Sequence, residues 1–461
     1  MPGETPHPPL ASPATTSSAP PVSPPATTSS ARPVSPPAIT SSTARVSPPA
    51  VTSGTHRASP PAITSGLLGS WSEAWVAVTR SLTDSFVTAL STPPRPLDLP
   101  RWLALMATRR PPTWTTPNEI VFQTPIARLR DFSISHPRGL VPTLVLPPQA
   151  GHDSCVVDYS SEQSQIGAIL ASGLERALSL DWIGATPQTA DASIDDYLEA
   201  VDRAVDHCGG RVNLIGDCQG GWLATIYAAL APERVNTLTI AGAPIDFHAG
   251  EPVIHEVLRY LAPGGNLGFY RALVAAAGGV LKGEHMLSGF ILIQPGAEIT
   301  RQLDLFAQLR DPGHVARYRE FEDWFKHTQD IPGAFYLWIV EHLFRDNELI
   351  AGLLEIGGSF VDLAKIDMPL ALLGGATDHI TPPDQVFALG RLASTPPELI
   401  VQDVSAGGHL GLFMGREALH EHWPALLAEV LSHSRAGSSR PRTQPARRPP
   451  PAPTARPSPG S

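Results

Sequence analysis

The stretch Val212-Asn213-Leu214-Ile215-Gly216-Asp217-Cys218-Gln219-Gly220-Gly221-Trp222 decides the fold. Residues 212–215 form a short apolar run of the kind that becomes a buried strand, and 221–231 reads as a helix. Between them stands G-x-C-x-G-G, the pattern G-x-S-x-G with cysteine in place of serine. A strand that turns this sharply into a helix lifts its central side chain above the sheet. Glycines flank it because any side chain there would collide with the neighbouring strand or helix. Cys218 is therefore the candidate nucleophile. The bland alternative is a structural cysteine in a glycine-rich turn.

Outward from this turn the pattern alternates between strands and helices. Strands are predicted at 141–146, 178–183 and 236–240, and a helix at 195–206 carries Tyr197, Val201 and Val205 on one face. Alternation of this kind argues for a parallel sheet covered on both faces. It lapses from about 247 to 358, where the pattern is mainly helical, and returns as strands at 370–374 and 399–404. The expected fold class is α/β, an α/β-hydrolase fold with a mostly parallel sheet, a helical cap insertion at about 247–358 and disordered tails.

An elbow of this type needs an acid and then a histidine further along the chain. Asp378, just after the strand at 370–374, and His409, in the loop after the last strand, stand in that order. Singly, Asp378 reads equally well as a cap of the segment that follows it, and His409 as a solvated loop residue. Together at strand ends they complete a triad. His409 would take the thiol proton, and Asp378 would orient the ring and stabilise the imidazolium. The oxyanion would lie on the amide of Gln219 and on a second amide from the loop after the first recognisable strand, at Gln149 or Ala150. A thiol nucleophile also points to acyl transfer. Exchange of one thioester for another is nearly thermoneutral and keeps the acyl group activated.

Composition narrows the possibilities. The 461-residue chain has 50 prolines and 38 glycines, so the folded part is smaller than the whole. With 16% charged residues and a net charge of −10 it offers no basic field for a nucleic-acid partner. Cys155, Cys208 and Cys218 are too few for a disulfide framework and lack zinc-site spacing, which suits a reducing cytoplasm. No metal or cofactor site is read from the sequence. The N-terminus lacks the pattern of a secretory signal, and no apolar stretch approaches the ~20 residues of a transmembrane helix.

Residues 1–65 repeat Ser-Pro-Pro-Ala-x-Thr-Ser from Ser23, Ser35, Ser47 and Ser59. Proline at this density blocks helix and sheet, so disorder with polyproline II character is predicted. Such a tail reads as a tether or modification region, or as expendable low-complexity sequence. Residues 435–461 read as a second disordered tail, proline-rich and basic, suited to an anionic surface or simply solvated. Residues 66–114 read as a helical segment. Trp71, Trp75, Val78, Leu82 and Phe86 form an apolar face that either docks on a partner or packs on the protein's own core.

The run from Gly216 to Leu238, followed by Pro244-Ile245-Asp246-Phe247, resembles the corresponding region of class III polyhydroxyalkanoate synthases. Asp181-Trp182, Ser193-Ile194-Asp195-Asp196-Tyr197, Glu322-Asp323-Trp324, the run Asn347 to Gly352, Asp378-His379-Ile380 and Gly407-Gly408-His409-Leu410-Gly411 are also similar to that family. The resemblance covers about 115–430, within a catalytic domain expected over 115–434, and implies polymerisation of (R)-3-hydroxyacyl-coenzyme A into polyester. Cys218 would carry the chain as a thioester and His409 would be the base. Asp378 would assist His409 or activate the incoming hydroxyl. It further implies a homodimer at a polyester granule in the cytoplasm, with a second synthase subunit as partner and acyl-coenzyme A as substrate rather than cofactor.

Three features depart from the family. Asp217 precedes the nucleophile where synthases carry an apolar or aromatic residue, and a carboxylate pointing inward there disfavours a neighbouring thiolate. The loop from Pro147 to His152 differs from theirs, and Gly242-Ala243-Pro244-Ile245-Asp246 is similar to intracellular polyester depolymerases. A depolymerase or thioesterase on the same triad is thus the alternative reaction. A granule-associated protein without catalysis is the alternative class.

Overall fold

The computed structural model describes residues 95–435 apart from positions 138 and 251. The repeat tail at 1–65, the tryptophan-bearing helix expected at 67–90 and the basic tail beyond 435 lie outside the described residues.

Eight strands form the main sheet: β1 (Glu119–Gln123), β2 (Ala127–Asp131), β3 (Thr143–Leu146), β4 (Ala177–Trp182), β5 (Val212–Asp217), β6 (Val235–Ala241), β7 (Leu370–Gly375) and β8 (Ile400–Ser405). Their order across the sheet is β1-β2-β4-β3-β5-β6-β7-β8. β2 runs antiparallel to both of its neighbours, and every pairing from β4 to β8 is parallel. This order, with a strand-to-helix elbow after β5, is the α/β-hydrolase fold.

The central strands explain why their sequence was readable. Val212 and Leu214 of β5 pack into the core on one face, and Ile215 packs into the core on the other. A strand buried on both faces reads as a continuous apolar run, and complete burial of each such side chain is worth roughly 1.5–3 kcal/mol. The faces are covered by helices α2 (Gln165–Ala171), α3 (Ile194–His207) and α4 (Gln219–Leu230), with others from later in the chain. α3 begins at a capping box in which Ser193 and Asp196 satisfy one another's end of the helix.

Boundaries move by at most two residues from those expected. β3 begins at Thr143, after Pro142, which has no amide to give to a ladder. α4 begins at Gln219, directly after the nucleophile. Of the helical segment expected over 66–114, only residues 95–114 are described. Only Asp98–Ala107 (α1) is helical, and Pro111-Pro112 lie in the irregular chain beyond it. Arg435, expected to open the disordered tail, instead forms a backbone bridge with Leu140.

Between β6 and β7 the chain leaves the sheet. α5 (Val253–Leu261), α6 (Gly268–Ala276), α7 (Gly283–Ile293), α8 (Pro295–Ala307), α9 (Pro312–Phe325) and α10 (Gly333–Trp338) build an insertion, joined by small two-stranded pairs such as Val280–Leu281 with Ile331–Pro332. Tyr197 of α3 stacks on Phe335 of α10 with ring centroids 3.8 Å apart, which seats the insertion on the sheet layer. Among the described residues no helix is long and apolar enough to cross a membrane.

Candidate active site

Register brings the C-terminal ends of β3, β5, β6, β7 and β8 to one rim. Leu146 lies opposite Gly216, Asp217 opposite Ala241, and Gly375 opposite Ser405. The residues that follow these strands therefore meet although they are far apart in sequence.

Cys218 has φ +49° and ψ −116°, a backbone conformation unusual for any residue with a side chain. Its amide is held by the Ala241 carbonyl at 2.8 Å, and its carbonyl accepts from the Gly221 amide at 3.0 Å. The glycines are obligatory for close approach. A Cβ on Gly216 would sit 2.5 Å from the Gly220 carbonyl oxygen, and one on Gly220 would sit 1.9 Å from that of Leu146.

The loop after β7 carries Asp378 and the loop after β8 carries His409. His409 Nδ1 lies 2.7 Å from Asp378 Oδ2. The other carboxylate oxygen accepts the amides of Ile380 and Thr381 at 2.9 and 2.8 Å. Asp378 thus caps the segment after it and orients the imidazole at once. With Nδ1–H given to Asp378, Nε2 is left as the acceptor. Cys218 acts on this ring both as a charge and as a hydrogen-bond partner. Burial alone would push the imidazole down, but its interactions with Cys218 and with the Asp378 carboxylate hold it well above its ordinary value.

The His409 loop is braced from below. The Ala406 amide donates to Glu417 Oε1 at 3.0 Å, and the Ser405 hydroxyl donates to the same carboxylate. Trp423 Nε1 donates to the Leu412 carbonyl at 2.7 Å. Side chains held on both sides lose little further freedom when the site reacts.

Two cavities meet at the nucleophile. One, of about 320 Å³, is bordered by Cys218, His409, His152, Phe290, Arg301 and Trp324. The other, of about 130 Å³, is bordered by Cys218, Gln149, Gln219, Trp222, Phe247 and Tyr336. Ala150, Phe290 and Ile380 touch both. Gln219 supplies the first amide of α4, which has no carbonyl one turn earlier within the helix to bond. Gln149 and Ala150, in the loop after β3, line the same smaller cavity as Gln219. That loop is fixed by a hydrogen bond from Trp182 Nε1 to the Pro147 carbonyl at 2.8 Å and by one from the Gln329 amide to the Gly151 carbonyl at 2.9 Å. The Gln149 side chain is buried beside the Tyr197 hydroxyl. A wider groove of about 1140 Å³ between α2 and the C-terminal helix Trp423–Ser434 holds none of these residues.

Sequence reasoning passed over His152 and Arg301. His152 stacks against Phe325 and Trp324, with centroids 5.4 and 5.0 Å away, and its Nε2 has no partner. Burial pushes its imidazole down to about 4 against the opposing pull of the Ala150 and Phe325 carbonyls, so the ring is neutral at neutral pH. Arg301 donates to Glu322 at 2.7 Å, pairs with Glu298 and lies over the rings of Phe321 and Phe325. Nothing in the local sequence marks either residue, because apart from Glu298 in the same helix as Arg301 their partners come from other elements.

The profile of a family described as a protein of unknown function, DUF3141, matches residues 127–413, more than half of the chain. The chain belongs to that family. Family membership spans β2 to the turn after His409, and so includes the elbow, both loops and the whole insertion. The chain is also similar to the poly(3-hydroxyalkanoate) polymerase subunit PhaC of Haloferax mediterranei, 26% identical over 333 residues, which are 70% of this chain and 65% of that protein. The protein of the same name from Allochromatium vinosum is 29% identical over 59% of this chain and 75% of the relative. Less than two thirds of the Haloferax protein is thus spanned. Among solved structures, the monoacylglycerol lipase of Paleococcus ferrophilus aligns with a TM-score of 0.43 at 18% identity, covering 67% of this chain and 99% of the lipase.

Proposed function

We propose that this protein is a polyhydroxyalkanoate synthase-type acyltransferase that joins (R)-3-hydroxyacyl groups from coenzyme A thioesters into polyester, through an acyl group carried on Cys218. The observation that carries this reading is the Asp378–His409 pair at 2.7 Å with Cys218 on a strained elbow at the meeting of two cavities. Relatives named as polymerases supply the substrate class.

In this reading His409 Nε2 takes the Cys218 proton, and the thiolate attacks the thioester carbonyl. The oxyanion is held by the Gln219 amide and by an amide at Gln149 or Ala150. The carbon–sulfur bond to coenzyme A breaks, and its thiolate leaves with the proton from His409. The hydroxyl of a second 3-hydroxyacyl-coenzyme A then gives its proton to His409 and attacks the acyl carbonyl on Cys218. An ester forms, the bond to Cys218 breaks, and the sulfur recovers its proton from the imidazolium. Two cavities suit this chemistry, because the bound acyl group and the incoming hydroxyacyl thioester must reach one carbon from different sides.

The test is incubation of the full-length protein with (R)-3-hydroxybutyryl-coenzyme A, following free thiol and polymer together. Thiol release matched by polymer is the expected result. Free 3-hydroxybutyrate without polymer would instead assign the triad to a depolymerase or thioesterase.

A further inference from the structure

Asp217 ends β5 one residue before Cys218 and is fully buried. Gln165, at the first position of α2, is equally buried and faces it. Gln165 Nε2 donates to Asp217 Oδ1 at 3.0 Å. This satisfies one polar atom of each side chain. Asp217 Oδ2 and Gln165 Oε1 are both buried and have no partner.

An ionised carboxylate and an amide carbonyl are both acceptors and cannot satisfy one another. Turning the amide over only sets its oxygen against Asp217 Oδ1. A single proton on Oδ2 resolves both deficits, since Oδ2–H can donate to Gln165 Oε1 while Gln165 Nε2 donates to Oδ1. We propose that Asp217 is held as a neutral carboxylic acid paired with Gln165 through two hydrogen bonds, and that it is a positioning residue giving Cys218 an uncharged, rigid floor. The proposal deepens the reading of Cys218 and His409 as nucleophile and base, and rests on it.

The surroundings agree. Burial pushes the carboxyl up to about 7, while the Gln165 hydrogen bond and the charge of His409 pull it down. Those two groups, one from α2 and one from the loop after β8, are the ones that act on it. The strand neighbours Leu146 and Ala241 bring nothing ionisable. Among the described residues no cation other than His409 compensates a charge at this point, so ionised Asp217 would oppose a thiolate next to it and compete with it for the imidazolium.

The proton bound in the folded state is one that the unfolded chain, with an ordinary carboxyl, releases. Stability from this group is therefore full below about pH 4 and is lost as pH rises through about 7. Asp217→Asn keeps both hydrogen bonds, with an amide N–H replacing the acid proton, and cannot ionise.

The test compares full-length wild type with D217N by three readouts. The first is infrared spectroscopy of protein with carbon-13-labelled aspartate. The others are the urea midpoint and the rate of Cys218 alkylation by iodoacetamide, each followed from about pH 6 to about pH 8.5. Expected are a protonated-carboxyl band in wild type that fades with rising pH and is missing in D217N, a urea midpoint that falls with pH relative to D217N, and an inflection in the alkylation profile that D217N lacks. Absence of that band at about pH 6, or parallel pH profiles in the two proteins, overturns the proposal. The infrared measurement on wild type needs no variant to fold. Failure of the synthase reading would appear in the thiol and polymer assay, so either can fail alone.

Discussion

The rim of the sheet and the insertion above it use similar side chains to different ends. At the rim, Cys218, Asp378 and His409 are each held by backbone hydrogen bonds or by one another, and the glycines leave no slack. In the insertion, α7 is strongly apolar, yet Gly283 is its one buried residue, and Leu292 nearby is 63% exposed. Phe290 and Ile291 of that helix line the larger cavity and are only partly buried. Chemistry is thus placed on the part of the molecule that cannot shift, whereas access and fit lie partly on α7, which buries one residue and so opens at lower cost.

Breaking the rim should have the largest effect. Cys218→Ala is expected to lower acyl transfer by about 10⁴-fold or more while leaving the urea midpoint nearly unchanged, because the residue is removed from chemistry and not from a core. An unchanged rate of thiol release in C218A would contradict the assignment. Asp378→Asn keeps the shape but offers the imidazole a donor in place of an acceptor. A loss of about 10²–10⁴-fold in turnover with little change in KM is expected from steady-state kinetics.

The insertion should respond in stability and specificity instead. Glu322 is 1% exposed and accepts from Arg109, Arg301 and Lys326 at once. Glu322→Gln leaves Arg109 without its carboxylate and Arg301 and Lys326 with Glu298 alone, and is expected to destabilise by about 1–3 kcal/mol. Hydrogen exchange should show faster opening of α8 and α9, with the strands unaffected. Phe290→Ala joins the two cavities and is expected to change KM by about 3- to 10-fold and favour longer acyl groups, with turnover on the short substrate nearly retained. Equal effects on short and long substrates would show that Phe290 sets no size limit.

Legibility in the sequence followed the same division. β5, β6 and α4 were read to within two residues because doubly buried strands are continuous apolar runs and the elbow has its own glycine pattern. The β1–β2 hairpin was not resolved as strands. Arg128 and Arg130 interrupt β2, and their charge is tolerated only because Asp181 on the adjacent strand receives both. Tertiary partners likewise decided His152, which reads as an ordinary loop histidine until Phe325 and Trp324 close on it. Asp217 was legible as a departure, but its direction was not.

Sequence alone determined the alternation of buried strands and helices, the elbow at Cys218, and the order in which an acid and a histidine follow it. These depend on local steric rules and on burial periodicity, which are written along the chain. Only the tertiary structure decided that Asp378 meets His409 at 2.7 Å, that two cavities converge on Cys218, and that Asp217 turns inward onto Gln165. Those facts join residues 31 to 52 positions apart or more. They are set by strand order and register, and no local rule carries them.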